Sequence, residues 1–366
     1  MTPPATEGAR EEGAAAPGGR ATNGRSRARR LMRLLIQASL TVAVTWFIIQ
    51  RVGIDLARLS ELEFGGWAYQ WHWLGLSVVV LLLGYGVSAV LWGRMVSELG
   101  GPRIPAARAA RLFLVANLGR YVPGKVLQLA GLTVLAAREG VRPAVAAVAA
   151  ILGQGVALLG ATLIGLGAFF ATGSEVRMWG WIGVTCVGAF LVVGSLPVAR
   201  RLLSMVWRRF TRDPDAPTPL ALTDPRFVWR WTALYTLNWS IYAAAFWLLF
   251  IGLAGWATFL QVGAAFAAAY VGGYLALFAP AGIGVRESLL TLFLVPLVTP
   301  ERALAIAIVA RLWSTAIEVV PALAMTPRTL RGLPSGMGAP GGSVDREGES
   351  EPCATFQRPR VPRART

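Results

Sequence analysis

Histidine and cysteine are almost absent from this chain, which has one histidine and two cysteines among 366 residues. His72 stands between two tryptophans at the start of an apolar run, and an interfacial position explains it better than a metal site with no second ligand. Cys186 lies in an apolar run and Cys353 near the C-terminus, so the sequence contains no disulfide framework. We expect neither a bound metal nor a cofactor.

The signatures of hydrolases and phosphotransferases are missing as well. The sequence has no HExxH, no P-loop, no Ser/His pair and no aspartate-rich metal motif. Hydrolysis and phosphoryl transfer therefore have no candidate residues, and we expect that the protein is not an enzyme.

Charge is also scarce: charged residues make up 15% of the chain and hydrophobic residues 55%. A soluble domain carries about 25% charged residues. Crossing a bilayer takes about 20 apolar residues, and the sequence has several runs of that length: 31–50, 73–92, 144–172, 179–198, 231–285 and 303–325. The predicted fold class is an all-α polytopic integral membrane protein with about seven or eight transmembrane helices plus re-entrant or broken short helices.

The number of crossings depends on Ser288–Thr299, an apolar stretch that would rise only about 20 Å as a helix. If it crosses as a short tilted helix, there are eight crossings and a cytoplasmic C-terminus, which is the preferred interpretation. If it is re-entrant, there are seven.

The excess of positive charge lies mostly outside the apolar runs. The net charge is +16, and five arginines between residues 25 and 33 adjoin the first run, which places the N-terminus in the cytoplasm by the positive-inside rule. Residues 1–30 and 327–366 are rich in Gly, Pro and Arg and are predicted to be disordered. Binding to nucleic acid would need a basic face on a folded soluble domain, so membrane lipids are the expected partners. The Ala, Gly and Arg bias indicates a bacterial cell membrane.

One segment, Asn117–Gln128, combines charge with a helix break inside an apolar region. A helix N-terminus next to Arg and Lys suits a phosphate group. The alternative is that the cations extend to the cytoplasmic headgroups. The short apolar stretches on either side predict a re-entrant hairpin entered from the cytoplasmic side. The break is Pro123–Gly124, and the polar residues around it are Arg120, Tyr121, Lys125 and Gln128.

A second segment, Phe278–Glu287, repeats this arrangement. Its break contains Pro280, Gly282 and Gly284, and Arg286 and Glu287 follow. The helix dipole favours a glutamate at a helix N-terminus but disfavours an arginine. Arg286 therefore predicts an anionic ligand or a carboxylate partner.

The last long run contains two charges, Arg311 and Glu318, which are seven residues apart and so share one helix face. Each is predicted to pair with another helix. The candidates for Arg311 are Glu287 and Glu139, and those for Glu318 are Arg286 and Arg120. A purely structural ion pair explains these charges equally well.

Residues 30–326 resemble the lysylphosphatidylglycerol synthase transmembrane family, also called flippase-like domain proteins. The resemblance rests on R-Y-x-P-G-K at Arg120–Lys125 and P-x-G-x-G-x-R-E at Pro280–Glu287, with Arg138–Val141 and Arg311 following. It implies that residues 31–326 form a flippase-like transmembrane domain that moves anionic or aminoacylated lipids between leaflets. Two-domain members also transfer an amino acid from tRNA to phosphatidylglycerol. Only about forty residues follow Met325, so that transfer is not expected here, and stand-alone members that handle polyprenyl-phosphate or glycolipids are the better analogy.

The preferred functional hypothesis is a lipid transporter of flippase type without an ATPase motif, in which Arg120, Lys125 and Arg286 hold the lipid phosphate. One alternative is a membrane-embedded lipid-modifying enzyme with Glu139, Glu287 or Glu318 as base. The other is a non-transporting anchor for a glycosyltransferase.

Overall fold

The computed structural model describes residues 70–121, 126–171, 174–211, 224, 226–276, 279 and 282–330. The predicted disordered N-terminus, the first apolar run and most of the tail lie outside this part of the chain. Residues 330–366 form a unit of their own, of which only Leu330 is described.

The described residues form ten α-helices, one short 3-10 helix and no strand, which confirms the all-α prediction. The α-helices are α1 (Trp71–Glu98), α2 (Ala106–Asn117), α3 (Val126–Ala137), α4 (Pro143–Ala171), α5 (Ser174–Ser195), α6 (Pro197–Thr211), α7 (Phe227–Ala254), α8 (Phe259–Leu275), α9 (Val285–Leu294) and α10 (Pro300–Leu330). The 3-10 helix, Leu118–Tyr121, follows α2 directly.

Among the described residues, four helices are long and apolar enough to cross a membrane: α1, α4, α7 and α10. Shorter apolar helices lie at Leu127–Ala137, Gly180–Ala189 and Phe259–Leu275. This agrees with the predicted combination of long transmembrane helices and shorter helices. The total number of crossings stays a prediction.

The sequence signals at the helix ends explain several boundaries. The helices α4, α6 and α10 each begin at a proline, whose fixed φ and missing N–H suit the first helical position. Gly255 follows the last residue of α7 and has a φ of 92°, which favours glycine at the end of a helix. The side chain of Thr258 then caps α8 by accepting a hydrogen bond from the backbone N–H of Gln261.

Two predicted spans differ from the structure. The run 179–198 belongs to a helix that ends at Ser195, because Pro197 cannot continue it and instead starts α6, which has two arginines in its last turn. The stretch Ser288–Thr299 contains residues 288–294 of α9, a helix of 10 residues. Such a helix rises about 15 Å, half of the hydrocarbon thickness. The helix α9 alone is therefore too short for the full crossing that was the preferred interpretation of this stretch.

The helix α7 packs against α1, α4 and α8, and α4 also packs against α8. One apolar core contains residues of α1, α2, α3 and α4 and of the N-terminal half of α7. A second core joins the rest of α7 to α8, α9 and α10.

Glycines allow α4 to lie close to its neighbours. The seven-residue spacing of Gly153 and Gly160 predicts a small-residue face for close helix packing. A Cβ atom on Gly160 would lie 2.8 Å from the backbone N of Thr236 and 2.8 Å from the carbonyl C of Tyr235. The backbones of α4 and α7 therefore meet at Gly160, as the spacing predicts.

Replacing Gly160 with alanine should destabilise the protein by about 1–3 kcal/mol, because the new methyl group meets backbone that has to move. The matched control is Gly155→Ala on the same helix, where nothing lies within 4 Å of an added Cβ. Thermal unfolding of the purified proteins in detergent gives the comparison. Equal midpoints for the two variants would contradict the close approach of α4 and α7.

Candidate functional site

A cavity of about 140 Å³ lies between the two apolar cores. A water molecule needs roughly 10–15 Å³ of such volume, so the cavity has room for a small polar group of several heavy atoms. Its walls come from eight of the described α-helices, all except α5 and α6. The charged residues that line it are Arg120, Arg286, Arg311 and Glu318.

The second Pro–Gly segment brings Arg286 to this cavity. Gly282 and Gly284 have φ angles of 70° and 84°, which only glycine adopts without strain. A Cβ on Gly282 would lie 2.6 Å from the carbonyl oxygen of Gly273, so the chain passes directly against the end of α8. The Glu287 carboxylate then accepts a hydrogen bond of 2.7 Å from the backbone N–H of Gly284 and so caps α9. Arg286 is consequently held in the first turn of α9.

The guanidinium of Arg286 lies against aromatic rings. Its Cζ atom is 4.8 Å from the centroid of the Phe266 ring and 5.5 Å from that of Tyr270. Both distances are within the range of cation–π attraction. Among the described residues, no carboxylate oxygen lies within 4 Å of Arg286.

The two charges of α10 each form an ion pair with one of the segments that contain a break. Arg311 Nε lies 3.5 Å from Glu287 Oε1, which is one of the two partners that the sequence predicts for it. Glu318 Oε1 lies 3.3 Å from Arg120 Nε, again one of two predicted partners. The Glu318 side chain is 3% exposed and the Arg120 side chain 24%, so this pair is largely shielded from solvent.

The charges in and beside the cavity do not balance. Three guanidiniums (Arg120, Arg286 and Arg311) stand against two carboxylates (Glu287 and Glu318) among the described residues. Within this described group the guanidiniums therefore outnumber the carboxylates by one. Charge at such a position is costly unless an ion or ligand compensates it.

The remaining predicted site residues fall into three groups. Gln128 lines the cavity, and its Nε2 donates a 2.7 Å hydrogen bond to Asn117 Oδ1. Tyr121 ends the 3-10 helix, and the structure describes its backbone only. Pro123, Gly124, Lys125 and Pro280 lie outside the described residues.

Glu139 is placed differently from its predicted role in an intramembrane pair. Its Oε2 lies 3.1 Å from Arg108 Nη1, and the Arg108 side chain is 57% exposed. Glu139 follows α3 and Arg108 is in α2, and because these helices pack side by side, Arg108 reaches Glu139. Glu139 does not line the cavity, and of the two candidate partners for Arg311 it is Glu287 that lies beside it.

Most of the uncharged polar residues of the site are not predicted from the sequence. Asn238 donates a 2.7 Å hydrogen bond to Ser88 Oγ, which is also 2.9 Å from the hydroxyl of Tyr242. The rings of Phe266 and Tyr270 that support Arg286 are not predicted either. A signal existed for Asn238, because it is an amide within the charge-free run 231–285. No sequence signal separates these aromatic residues from the other aromatics of the core.

The described residues form an all-α fold typical of a multi-pass membrane protein, with three arginines and one glutamate lining its cavity. The family model described as lysylphosphatidylglycerol synthase TM region matches residues 34–322. The protein belongs to this family, as the resemblance of its two Pro–Gly segments implies. No curated protein and no solved structure matches the chain.

Replacing Glu318 with glutamine should destabilise the protein by about 3–5 kcal/mol, since Arg120 then loses its shielded carboxylate partner. The same substitution at Glu139 removes a carboxylate from the exposed pair with Arg108 and should cost about 0–1 kcal/mol. Unfolding midpoints of the two variants in detergent, measured with the unaltered protein, test this difference. Equal shifts would show that the Glu318 pair is no more shielded than the Glu139 pair.

Proposed function

We propose that this protein binds the phosphate group of an anionic membrane lipid in its central cavity and transfers the lipid between the two leaflets. The observation that carries the proposal is Arg286: a guanidinium that lines the cavity with no carboxylate within 4 Å among the described residues. The family match supports a role in the handling of membrane lipids.

A phosphate suits this arrangement of cations. Arginine binds phosphate oxygens through two parallel N–H bonds, and its planar group keeps its stacking on aromatic rings at the same time. Arg120 and Arg311 line the same cavity, although each is paired with a glutamate. A bound phosphate would therefore contact Arg286, which has no carboxylate within 4 Å among the described residues, together with two arginines that are already paired with glutamates.

The apolar walls favour a lipid over a free anion. Leu81, Phe113, Leu129 and Leu132 line the cavity together with the arginines. Apolar side chains at a phosphate site suit a ligand that joins a charged headgroup to hydrocarbon. An inorganic anion would gain nothing from these walls.

The interrupted helices supply a means of transfer. The short helices α2 and α3 flank the first Pro–Gly segment, and α8 and α9 flank the second. Broken helices in corresponding positions of two halves shape the binding sites of many transporters. We place the protein in the cell membrane with its N-terminus in the cytoplasm, and we assign it no catalytic step.

Reconstitution into liposomes tests this proposal. The liposomes contain phosphatidylglycerol labelled with NBD on an acyl chain, and dithionite quenches only the label that reaches the outer leaflet. The protein should accelerate exchange, and Arg286→Gln should slow it at least about tenfold, because hydrogen bonds to charged groups contribute about 1.5–3 kcal/mol. The matched control is Arg94→Gln, which alters an exposed arginine of α1 that does not line the cavity.

Two results would count against the proposal. Exchange no faster than in protein-free liposomes, from folded protein, would contradict lipid transfer. Equal rates for Arg286→Gln and Arg94→Gln would contradict the phosphate site at Arg286. Chemical change of the labelled lipid during the assay would instead favour a lipid-modifying enzyme.

A further inference from the structure

The helix α6 is amphipathic and basic, and it lies outside the site described above. Its sequence, PVARRLLSMVWRRFT, contains four arginines and no aspartate or glutamate. The arginines form two pairs, Arg200–Arg201 and Arg208–Arg209, with mostly apolar residues between them. A basic amphipathic helix of this kind is typical of segments that lie at a membrane surface.

Two opposite faces of α6 have different surroundings. Trp207 is 2% exposed and belongs to the first apolar core together with Phe227 of α7. Met205 is 58% exposed and Leu202 is 55% exposed. At 3.6 residues per turn, Met205 lies about 200° from Trp207 around the helix axis. The helix therefore packs on the protein through Trp207 and presents Met205 and Leu202 on its outer side.

Arginines stand on either side of these exposed apolar residues. Arg201 is one turn before Met205 and Arg209 is one turn after it, and both arginines are exposed. Water does not favour the exposed apolar side chains, and hydrocarbon does not favour the arginines. The boundary between acyl chains and headgroups suits both, because an arginine can bury its apolar stem and keep its guanidinium among the headgroups.

The exposed apolar surface of α6 continues that of α5. Trp181, Val192 and Leu196 are 61%, 55% and 45% exposed, and residues 178–199 contain no charged side chain. The chain bends at Leu196, and α6 starts at Pro197. The uncharged surface of α5 suits the hydrocarbon layer, and the first arginines follow directly after the bend. The helix α6 thus begins where the chain leaves the hydrocarbon.

The end of the molecule at α6 is rich in arginine. The helix α5 follows α4 after two residues and packs against it, so its C-terminal end returns towards the start of α4. Trp207 shares its apolar core with Val145 and Phe227, which stand near the starts of α4 and α7. The exposed residues Arg142 and Arg226 immediately precede these two helices. The positive-inside rule assigns such an end to the cytoplasm, where the membrane surface carries anionic lipids.

We infer that α6 lies along the membrane surface and binds the headgroups of anionic lipids of the cytoplasmic leaflet. Leu202 and Met205 lie among the upper acyl chains, and Arg201 and Arg209 contact the lipid phosphates. This surface is separate from the cavity, because no described residue of α6 lines the cavity. The inference therefore does not depend on the transfer of a lipid through the protein.

The test measures which lipids lie next to α6 in the full-length protein, reconstituted into phosphatidylcholine liposomes. Serine replaces both native cysteines, Cys186 and Cys353, and a bimane fluorophore is attached to Met205→Cys. The liposomes contain an equal small fraction of either 5-doxyl phosphatidylglycerol or 5-doxyl phosphatidylcholine, whose nitroxide quenches bimane only at short range. Both lipids should quench the label, because residue 205 lies at the level of the upper acyl chains.

Phosphatidylglycerol should quench at least about twice as strongly as phosphatidylcholine at low ionic strength, because each arginine near the surface attracts anionic lipid up to about fivefold. This preference should disappear in about 1 M salt, which shortens the screening length to about 3 Å.

Arg201→Gln/Arg209→Gln removes the two arginines beside the label and should reduce the preference for phosphatidylglycerol by at least half. The matched control is Arg103→Gln/Arg138→Gln, which removes the same charge from two exposed arginines that do not belong to α6. The control should keep the preference of the unaltered arginines.

Three results would overturn the inference. Weak quenching by both doxyl lipids in folded protein would show that this face of α6 lies in water, open to a soluble partner. Equal quenching by the two lipids would contradict the binding of anionic headgroups. An equal loss of preference in the two double variants would show that the overall charge of the protein, and not α6, attracts the lipid. None of these results depends on the rate of lipid exchange, so failure of this inference and failure of the proposed function are distinguishable.

Discussion

Charge in an apolar interior is the constraint on which this site depends. A guanidinium away from water is costly unless a counter-charge or another favourable contact offsets the lost hydration. Arg120 and Arg311 each have a carboxylate within 4 Å. Arg286 has instead the faces of Phe266 and Tyr270, which offset only part of that cost. The three arginines of one cavity therefore differ in environment: two are paired with glutamates, and the third lies against aromatic rings.

The backbone conformation at Gly282–Gly284 places Arg286 beside these two rings. Two residues with positive φ turn the chain past the end of α8 and start α9 at once. Glu287 has two tasks there, since one oxygen caps α9 and the other faces Arg311. Glu287 thus links the start of α9 to α10, while its neighbour Arg286 lies against the aromatic rings of α8.

The sequence predicts the fold class, the two interrupted segments and the candidate partners of the two charged residues on α10. These features follow from residue types with strong local rules: long apolar runs, proline, glycine and charge at membrane depth. Which of two glutamates Arg311 contacts depends on the packing of α9 against α8, and no local rule gives it. The placement of Glu139 beside Arg108 depends in the same way on how α2 and α3 pack together. The polar groups of Ser88, Asn238 and Trp92 come together from helices about 150 residues apart in the chain, and only the assembled fold shows that they share one cavity.

The two interrupted segments are physically joined through α10. Arg311 binds the segment at the start of α9, and Glu318, two turns along the same face, binds the segment that follows α2. A rotation of α10 about its axis, or a shift of one turn along it, moves both charges together. Such a movement acts on both ion pairs at once, because each pair has one partner on α10. The spacing of seven residues therefore ties the two interrupted segments to the same face of one helix.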